Sequence, residues 1–489
     1  MDTGRISLNT GDKTQSANGT IELHQQSLEY QKTLTPELSL PVSEDPLTGE
    51  QFVIQPITLH QNLAWTLGGN IIYACSQWGL LIVLAKIGSS TMVGQFALGL
   101  AICAPVFMLT NLQLRSVEAT DATHEYSFSD YFGLRIVATL LGLLFIGALL
   151  LFSNYGPETK FVVALVGCAK AVESFSDVVY GFIQQHEQMS KIALSMILKG
   201  VGSVVVLAAT LYVSHSLVQG CLGIAIWWTT VFLIYDTLVC RYMLRFVGSA
   251  RHPFFPSWNL HKLWTLTALA FPLGIHTLLI SLTTNIPRYV IQKYLGTVNL
   301  GIFASMAYFM LAGYTVIAAV GNSLAPLLSR HWVASPILYR RLSVRIGSVA
   351  FAVGCLNTLG ALLFGKQILI IVYRPEYARH NSVFVILMAA TAFYYCGSIL
   401  GFAVTAARRL WSYAIAYSSV PLICLIMALL LVPKYGLNGA ALAVLVASGL
   451  GALAPVLVIN RALRKRLFDT RVLPGGNNGT YEFRAESLS

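Results

Sequence analysis

Only 11% of the 489 residues are charged and 55% are hydrophobic, where an ordinary globular chain carries about 25% charged residues; a soluble enzyme is excluded. The net charge of +11 does not point to nucleic acid, because the basic residues cluster in short loops between apolar stretches, where membrane topology accounts for them. An all-α polytopic membrane protein is what remains.

Residues 1–61 hold eight acidic residues against three basic ones, Arg5, Lys13 and Lys32. Polar and without apolar periodicity, the stretch reads as a disordered acidic cytoplasmic tail. It has no apolar core, so no cleavable signal is expected and the first long span must direct insertion. Twelve apolar runs follow, near 63–86, 93–114, 132–153, 161–183, 191–213, 217–240, 263–286, 298–325, 342–365, 382–404, 410–432 and 437–460. Each can cross about 30 Å of hydrocarbon as a helix. They divide into an N-terminal six-helix lobe (62–247), a cytoplasmic linker (248–262), a C-terminal six-helix lobe (263–465) and a cytoplasmic tail (466–489).

An even number of spans leaves both termini on one side. That side has 18 basic residues at or near span ends, among them Arg340, Arg341, Arg345, Arg461 and Arg464, and the other side has 7, including Lys86, Lys293 and Arg374. The bias predicts that both termini are cytoplasmic. The halves also repeat. Lys86 precedes Gly94-Gln95-Phe96-Ala97 by the same eight residues that separate Lys293 from Gly301-Ile302-Phe303-Ala304, with weaker echoes at Gly181-Phe182 and Gly401-Phe402, and at Gly220 to Gly223 and Gly436 to Gly439. A repeat in the same order in two six-span halves predicts two lobes related by an axis along the membrane normal, around a central cavity.

The eight cysteines stand singly in apolar stretches and read as small buried hydrophobes. Two motifs are decoys. Gly360 to Gly365 with Lys366 imitates a phosphate loop, but Gln367 stands where Ser or Thr should hold magnesium. Gly449-Leu450-Gly451 lies within a span with no strand before it, so it reads as helix packing. No catalytic constellation and no cofactor site appears.

Intramembrane polar residues are the informative ones, because a charge at the bilayer centre costs about 2.5 to 3.5 kcal/mol on insertion scales. Lys170, Glu173 and Asp177, with Gln184, share one face of the fourth span. They form either a self-neutralised packing cluster or an ion-coupling and substrate site. In the seventh span Ser281, Asn285, Arg288 and Gln292 share a face, and no acid lies nearby in sequence to pair Arg288. Beside it Pro287 should distort the helix and free a backbone carbonyl. Arg288 reads as a binding residue, the alternative being that it snorkels to the interface. Asn70 and Gln77 lie on a neutral polar face of the first span, open to ligand or to helix–helix hydrogen bonding. Lys199 in the fifth span is either a cavity residue or a snorkelling one.

On Lys86-Ile87-Gly88 through Ala97, on Glu173-Ser174-Phe175-Ser176-Asp177 leading to Tyr180-Gly181-Phe182 and Gln185, and on Tyr435-Gly436-Leu437-Asn438-Gly439-Ala440-Ala441, the chain resembles the multidrug, oligosaccharidyl-lipid and polysaccharide (MOP) exporter superfamily. Within it, the chain resembles the Wzx-type repeat-unit flippases of lipopolysaccharide and exopolysaccharide biosynthesis. The resemblance covers about residues 62–465. It implies a non-enzymatic multi-pass protein of the cytoplasmic (inner) membrane that moves a polyprenyl-diphosphate-linked oligosaccharide outward by alternating access. Its partners would be that glycan, membrane lipids and a polysaccharide polymerase or export machinery, with no cofactor, metal or nucleic acid. A small-molecule or drug antiporter of the same superfamily is the alternative. The acidic tail is a departure from a minimal flippase.

Overall fold

The computed structural model describes residues 43–44, 51–52, 59–121, 124–246 and 255–471. Most of the N-terminal tail, the first part of the predicted linker and residues 472–489 lie outside them. Within the tail, β1 (Ser43–Glu44) pairs antiparallel with β2 (Gln51–Phe52), Ser43 opposite Phe52.

The rest is helical: α1 (Leu59–Lys86), α2 (Ser90–Thr110), α3 (Leu114–Thr120), α4 (Phe128–Phe152), α5 (Pro157–Gln185), α6 (Met189–Ser214), α7 (Leu217–Val231) and α8 (Thr237–Phe246) come from the first half. From the second half come α9 (Leu260–Ala334), α10 (Pro336–Val372), α11 (Pro375–Ala378), α12 (Asn381–Ala406), α13 (Leu410–Tyr417) and α14 (Ser419–Arg471). Helix α14 runs to Arg471, so the predicted C-terminal tail begins as helix.

Among the described residues nine stretches are long and apolar enough to cross a membrane. Two of them are double. Helix α9 is interrupted at Gly296 (φ 82°) and α14 at Gly436 (φ 58°), left-handed conformations that only glycine adopts without strain. The remaining span is α5, whose Glu158, Lys160, Lys170, Glu173 and Asp177 make it too polar to qualify on composition alone. The twelve predicted spans are therefore all present.

Local sequence sets the boundaries. Ser127 and Asp130 form a reciprocal capping box at the start of α4. Pro157 and Pro336 open α5 and α10 at positions where the missing N–H costs nothing. Pro287 behaves differently from expectation in one respect: the backbone there stays helical, and Gly296 carries the only non-helical φ/ψ inside α9. The carbonyl it frees, that of Thr283, lies 3.6 Å from Cys424 Sγ, whose thiol donates in place of the missing backbone N–H. All eight cysteines are unpaired.

Lobe 1 packs α1 on α6, α2 on α5, and α5 on α7; lobe 2 repeats this with the first half of α9 on α14 and with α12 on both α10 and α14. The lobes meet along α2, which runs beside the first half of α9, where Tyr289 donates to the Ala101 carbonyl and Thr277 to the Met108 carbonyl, and reaches the start of its second half. Here Gly94 and Gly301, the anchors of the sequence repeat, face one another: a Cβ on Gly94 would strike the Thr297 carbonyl, and one on Gly301 would strike the Ser90 carbonyl and the Gly94 amide nitrogen. The repeated glycine is thus a contact across the pseudo-twofold axis, where two backbones approach too closely for any side chain. A clasp closes the lobes at the adjacent ends of α1 and α10. Lys86 Nζ donates to the Ile371 carbonyl (2.9 Å), and Arg374 Nη2 donates to the carbonyls of Lys86 (2.8 Å) and Gly88 (3.2 Å).

Candidate functional site

The sites predicted from the two stripes come together between the lobes. From lobe 1, Tyr73 on α1 donates to Glu173 Oε1 on α5 (2.5 Å), and Lys170 Nζ lies 2.6 Å from Glu173 Oε2. The ammonium of Lys170 also stands 5.5 Å from the ring of Trp228 on α7. Both side chains of the ion pair keep about a quarter of their surface open, 24% and 30%. From lobe 2, Arg288 Nη1 donates to Asn285 Oδ1 (3.1 Å), and Asn285 is held in turn by donating to the Ser281 carbonyl (2.9 Å). The buried Nε of Arg288 has no partner. Tyr308, on the second half of α9, lies within electrostatic reach of Arg288 and of Glu173, and Tyr73 lies within reach of Tyr308. Tyr308 therefore lies near both the neutralised carboxylate and the guanidinium, and Tyr73 beside the carboxylate alone.

Four of the predicted site residues fall elsewhere. Lys199 does not line this region. Its side chain is 2% exposed and forms an ion pair of 2.7 Å with Asp236, itself 1% exposed, and it donates to Ser176 and to Tyr180 (3.2 Å). Asp236 reaches it through a single π-helical turn, Phe232–Asp236, between α7 and α8. The extra residue rotates Asp236 onto the inner face already occupied by Ile224, Trp228 and Val231. Asp177 is not part of the Lys170 cluster either. Arg135 of α4, with no exposed surface, takes it at 3.1 Å, and Arg115 of α3 lies at 3.9 Å. Lys170 reaches only the acid one turn away. Gln292 Nε2 donates to Thr297 Oγ1 (3.1 Å), beside the interlobe glycines, and not to Arg288. Asn70 donates to the carbonyl of Thr66 in its own helix (2.7 Å).

Gln77 sits closer to the expectation. Its buried Nε2 has no partner, and with Lys170, Phe96 and Trp228 it lines a cavity of about 20 Å³ inside lobe 1, room for about one water molecule. Tyr308 and Asp236 are not predicted from the sequence, whereas Tyr73 shares the polar face of the first span with Asn70 and Gln77. Asp236 had a signal, since a lone acid in an apolar span requires a buried partner, and Lys199 was the unpaired lysine of the neighbouring span. Tyr308, one of 22 tyrosines, carries none.

The geometry is that of a transporter of two lobes, and comparison with known proteins supplies the family. The sequence model of the "Polysaccharide biosynthesis protein" family matches residues 59–332, more than half of the chain. The chain belongs to that family. It is 26% identical over 388 residues to the capsular polysaccharide biosynthesis protein CapF of Staphylococcus aureus, a match that spans 78% of this chain and 95% of CapF. Among solved structures, it is similar to a multidrug resistance MATE transporter of the MOP superfamily in its inward-facing conformation, with a TM-score of 0.61 and 12% identity over 83% of this chain and 96% of that one. A MOP superfamily transporter from Pyrococcus furiosus, described as having a binding pocket of reversed polarity, superposes with a TM-score of 0.52 at 12% identity over the same shares. At such identities the likeness is one of fold. Together with the family match, it agrees with the resemblance to polysaccharide exporters drawn from the sequence.

Proposed function

We propose that this polysaccharide biosynthesis protein carries a polyprenyl-diphosphate-linked oligosaccharide across the cytoplasmic membrane by alternating access, with both termini cytoplasmic. The observation that carries the reading is Arg288. It is a guanidinium about two turns before the Gly296 break of α9, oriented by Asn285, with a buried Nε that nothing among the described residues satisfies. A cation at membrane depth without a counterion is costly. A diphosphate linker supplies the counterion, and the planar guanidinium matches its oxygens two at a time. Lys170, held ready by Glu173, adds a second cation on the facing lobe, and Tyr73 and Tyr308 offer rings and hydroxyls to the first sugar.

The antiporter reading fits the fold equally. It is disfavoured by Glu173, because a carboxylate that must pick up a drug cation or a proton is here bonded at both oxygens, by Lys170 and Tyr73. Complementation of a flippase-deficient strain separates the two readings. Arg288→Ala should abolish glycan export at normal protein levels, and Arg288→Lys should retain part of it. Full export by Arg288→Ala removes the binding role. For sidedness, single cysteines at Lys434 and Arg341 in a cysteine-free background should label from outside and inside respectively; the reverse pattern overturns the orientation.

A further inference from the structure

On the bilayer-facing side of lobe 2, away from the interlobe site, the structure contains a groove of about 430 Å³ between α10, α12 and α14. This lies within the size range of built ligand sites, about 300 to 1,000 Å³. Its long wall is a single stripe of α10 that includes Arg340, Ser343, Gly347 and Phe351, faced by Leu400 of α12 and Asn460 of α14. The polarity is graded. Arg340 lies in the second turn of α10 and Asn460 just before the basic end of α14, so both mark the membrane surface next to the α9–α10 turn. Phe351 lies eleven residues further on, about 16 Å into the bilayer at 1.5 Å per residue. Gly347 forms the floor, where a Cβ would find Leu400 at 3.4 Å and Cys396 at 3.7 Å.

We propose that this groove binds one anionic phospholipid, its phosphate on Arg340 and Asn460 and one acyl chain lying along Gly347 and Phe351. Three observations converge. First, the mouth of the groove is edged by exposed apolar side chains of membrane spans, including Val344 and Phe351, so the molecules that reach it are lipids. Second, the charge at its surface end is of one sign: Arg340, Arg341, Arg345, Arg461 and Arg464 gather there, and no acid occurs from Pro336 to Val372 or from Leu437 to Leu467. Third, Arg340 makes no ion pair or hydrogen bond within the described residues, which leaves its guanidinium to a phosphate. A zwitterionic lipid would bring its own cation into this basic surface and bind less well.

The test uses the purified full chain in detergent and native mass spectrometry, with phosphatidylglycerol and phosphatidylcholine of identical acyl chains as probes. The expected result is one phosphatidylglycerol retained per chain under activation that strips phosphatidylcholine. R340Q should lower that occupancy about tenfold, the effect of one charge-assisted hydrogen bond. G347L, which fills the floor, should likewise lower phosphatidylglycerol retention, and excess glycerol 3-phosphate should leave occupancy unchanged because the acyl chain is part of the binding. Equal retention of the two phospholipids, or wild-type occupancy in both R340Q and G347L, overturns the proposal. Preferential displacement of phosphatidylglycerol by undecaprenyl phosphate also overturns it, by giving the groove to a polyprenyl chain. Because R340Q lies on the surface and leaves the packing intact, the result does not hinge on the folding of G347L.

Discussion

Lobe 1 and lobe 2 share a helix order and hold themselves together by different chemistry. Lobe 1 is ionic inside: Lys170–Glu173, Lys199–Asp236 and Arg135–Asp177 each bring a cation to an acid within its own helices. Lobe 2 has no such option, because Glu376 is the only acid between Leu260 and Lys465. Its interior is fastened by tyrosine hydroxyls on helix carbonyls instead. Tyr339 donates to Ala403 (2.8 Å), Tyr373 to Ser305 (2.8 Å) and Tyr395 to Met310 (3.0 Å), while the rings of Tyr314, Tyr394 and Tyr395 contact one another in series and those of Tyr413 and Tyr417 form a separate pair. The difference bears on transport. A lobe that neutralises its own charges can stay rigid without substrate, whereas the lobe carrying Arg288 has one positive charge that only something from outside it can balance.

The sharpest way to break the comparison is at the buried pair. Lys199→Met or Asp236→Asn alone leaves an uncompensated buried partner and should cost about 3 to 5 kcal/mol. The double variant Lys199→Met with Asp236→Leu should recover most of that loss. Thermal unfolding of the purified protein measures it, and a double variant as unstable as the two losses added would show that the pair is not the unit described.

Next in size is the axis between the lobes. Gly301→Leu forces a side chain against the α2 backbone, which should cost about 1 to 3 kcal/mol as overpacking and eliminate transport by wedging the lobes. Gly360→Ala, where nothing lies within 4 Å, should move stability by less than about 0.5 kcal/mol. Similar behaviour of the two variants would mean that the glycine repeat is not an interlobe contact.

These sites also mark how far the sequence was legible. The twelve spans, the two lobes and the Gly94/Gly301 repeat could be read because hydrophobic length and repeated small residues are one-dimensional signals. The Lys170–Glu173 pair and the Arg288–Asn285 bond could be read because both partners lie one turn apart in the same helix. Asp177 was assigned to the wrong cation since Arg135 and Arg115 come from other helices, and only packing brings them there. Lys199 reads from the sequence as either a cavity residue or a snorkelling one, because a regular 3.6-residue period does not anticipate the π turn that aims Asp236 at it. The Lys86 and Arg374 clasp was visible only as two loop charges 288 residues apart.

A smaller effect tests the aromatic half. Tyr395→Phe and Tyr339→Phe each remove one hydroxyl donated to a buried carbonyl and should cost about 1 kcal/mol apiece. Because Tyr339 and Tyr395 bond to different helices, the losses should add within about 0.5 kcal/mol, in contrast to the coupled loss expected at Lys199 and Asp236. Strong coupling between the two tyrosines in a double-mutant cycle would mean that lobe 2 also works as a network, and the distinction between the lobes would fail.

The smallest expected effect concerns what joins the lobes at the clasp. Arg374 bonds to two carbonyls at the α1–α2 turn, but it is partly exposed, so water competes for the guanidinium and its net worth is about 1 kcal/mol. That is too little to unfold anything. It is enough to shift an equilibrium between closed and open arrangements at this end by about fivefold. In a cysteine-free background with Tyr308→Cys, on the interlobe face, as the reporter, Arg374→Ala should therefore speed labelling by an impermeant maleimide added from the clasp side by about that factor. Arg374→Lys, which keeps one donor toward the same carbonyls, should give an intermediate rate. Thermal stability should stay within about 1 kcal/mol of the parent in both variants. An unchanged labelling rate with Arg374→Ala would mean that the packing of α2 on α9 keeps this end closed without Arg374, and that the clasp is an incidental contact at the membrane surface.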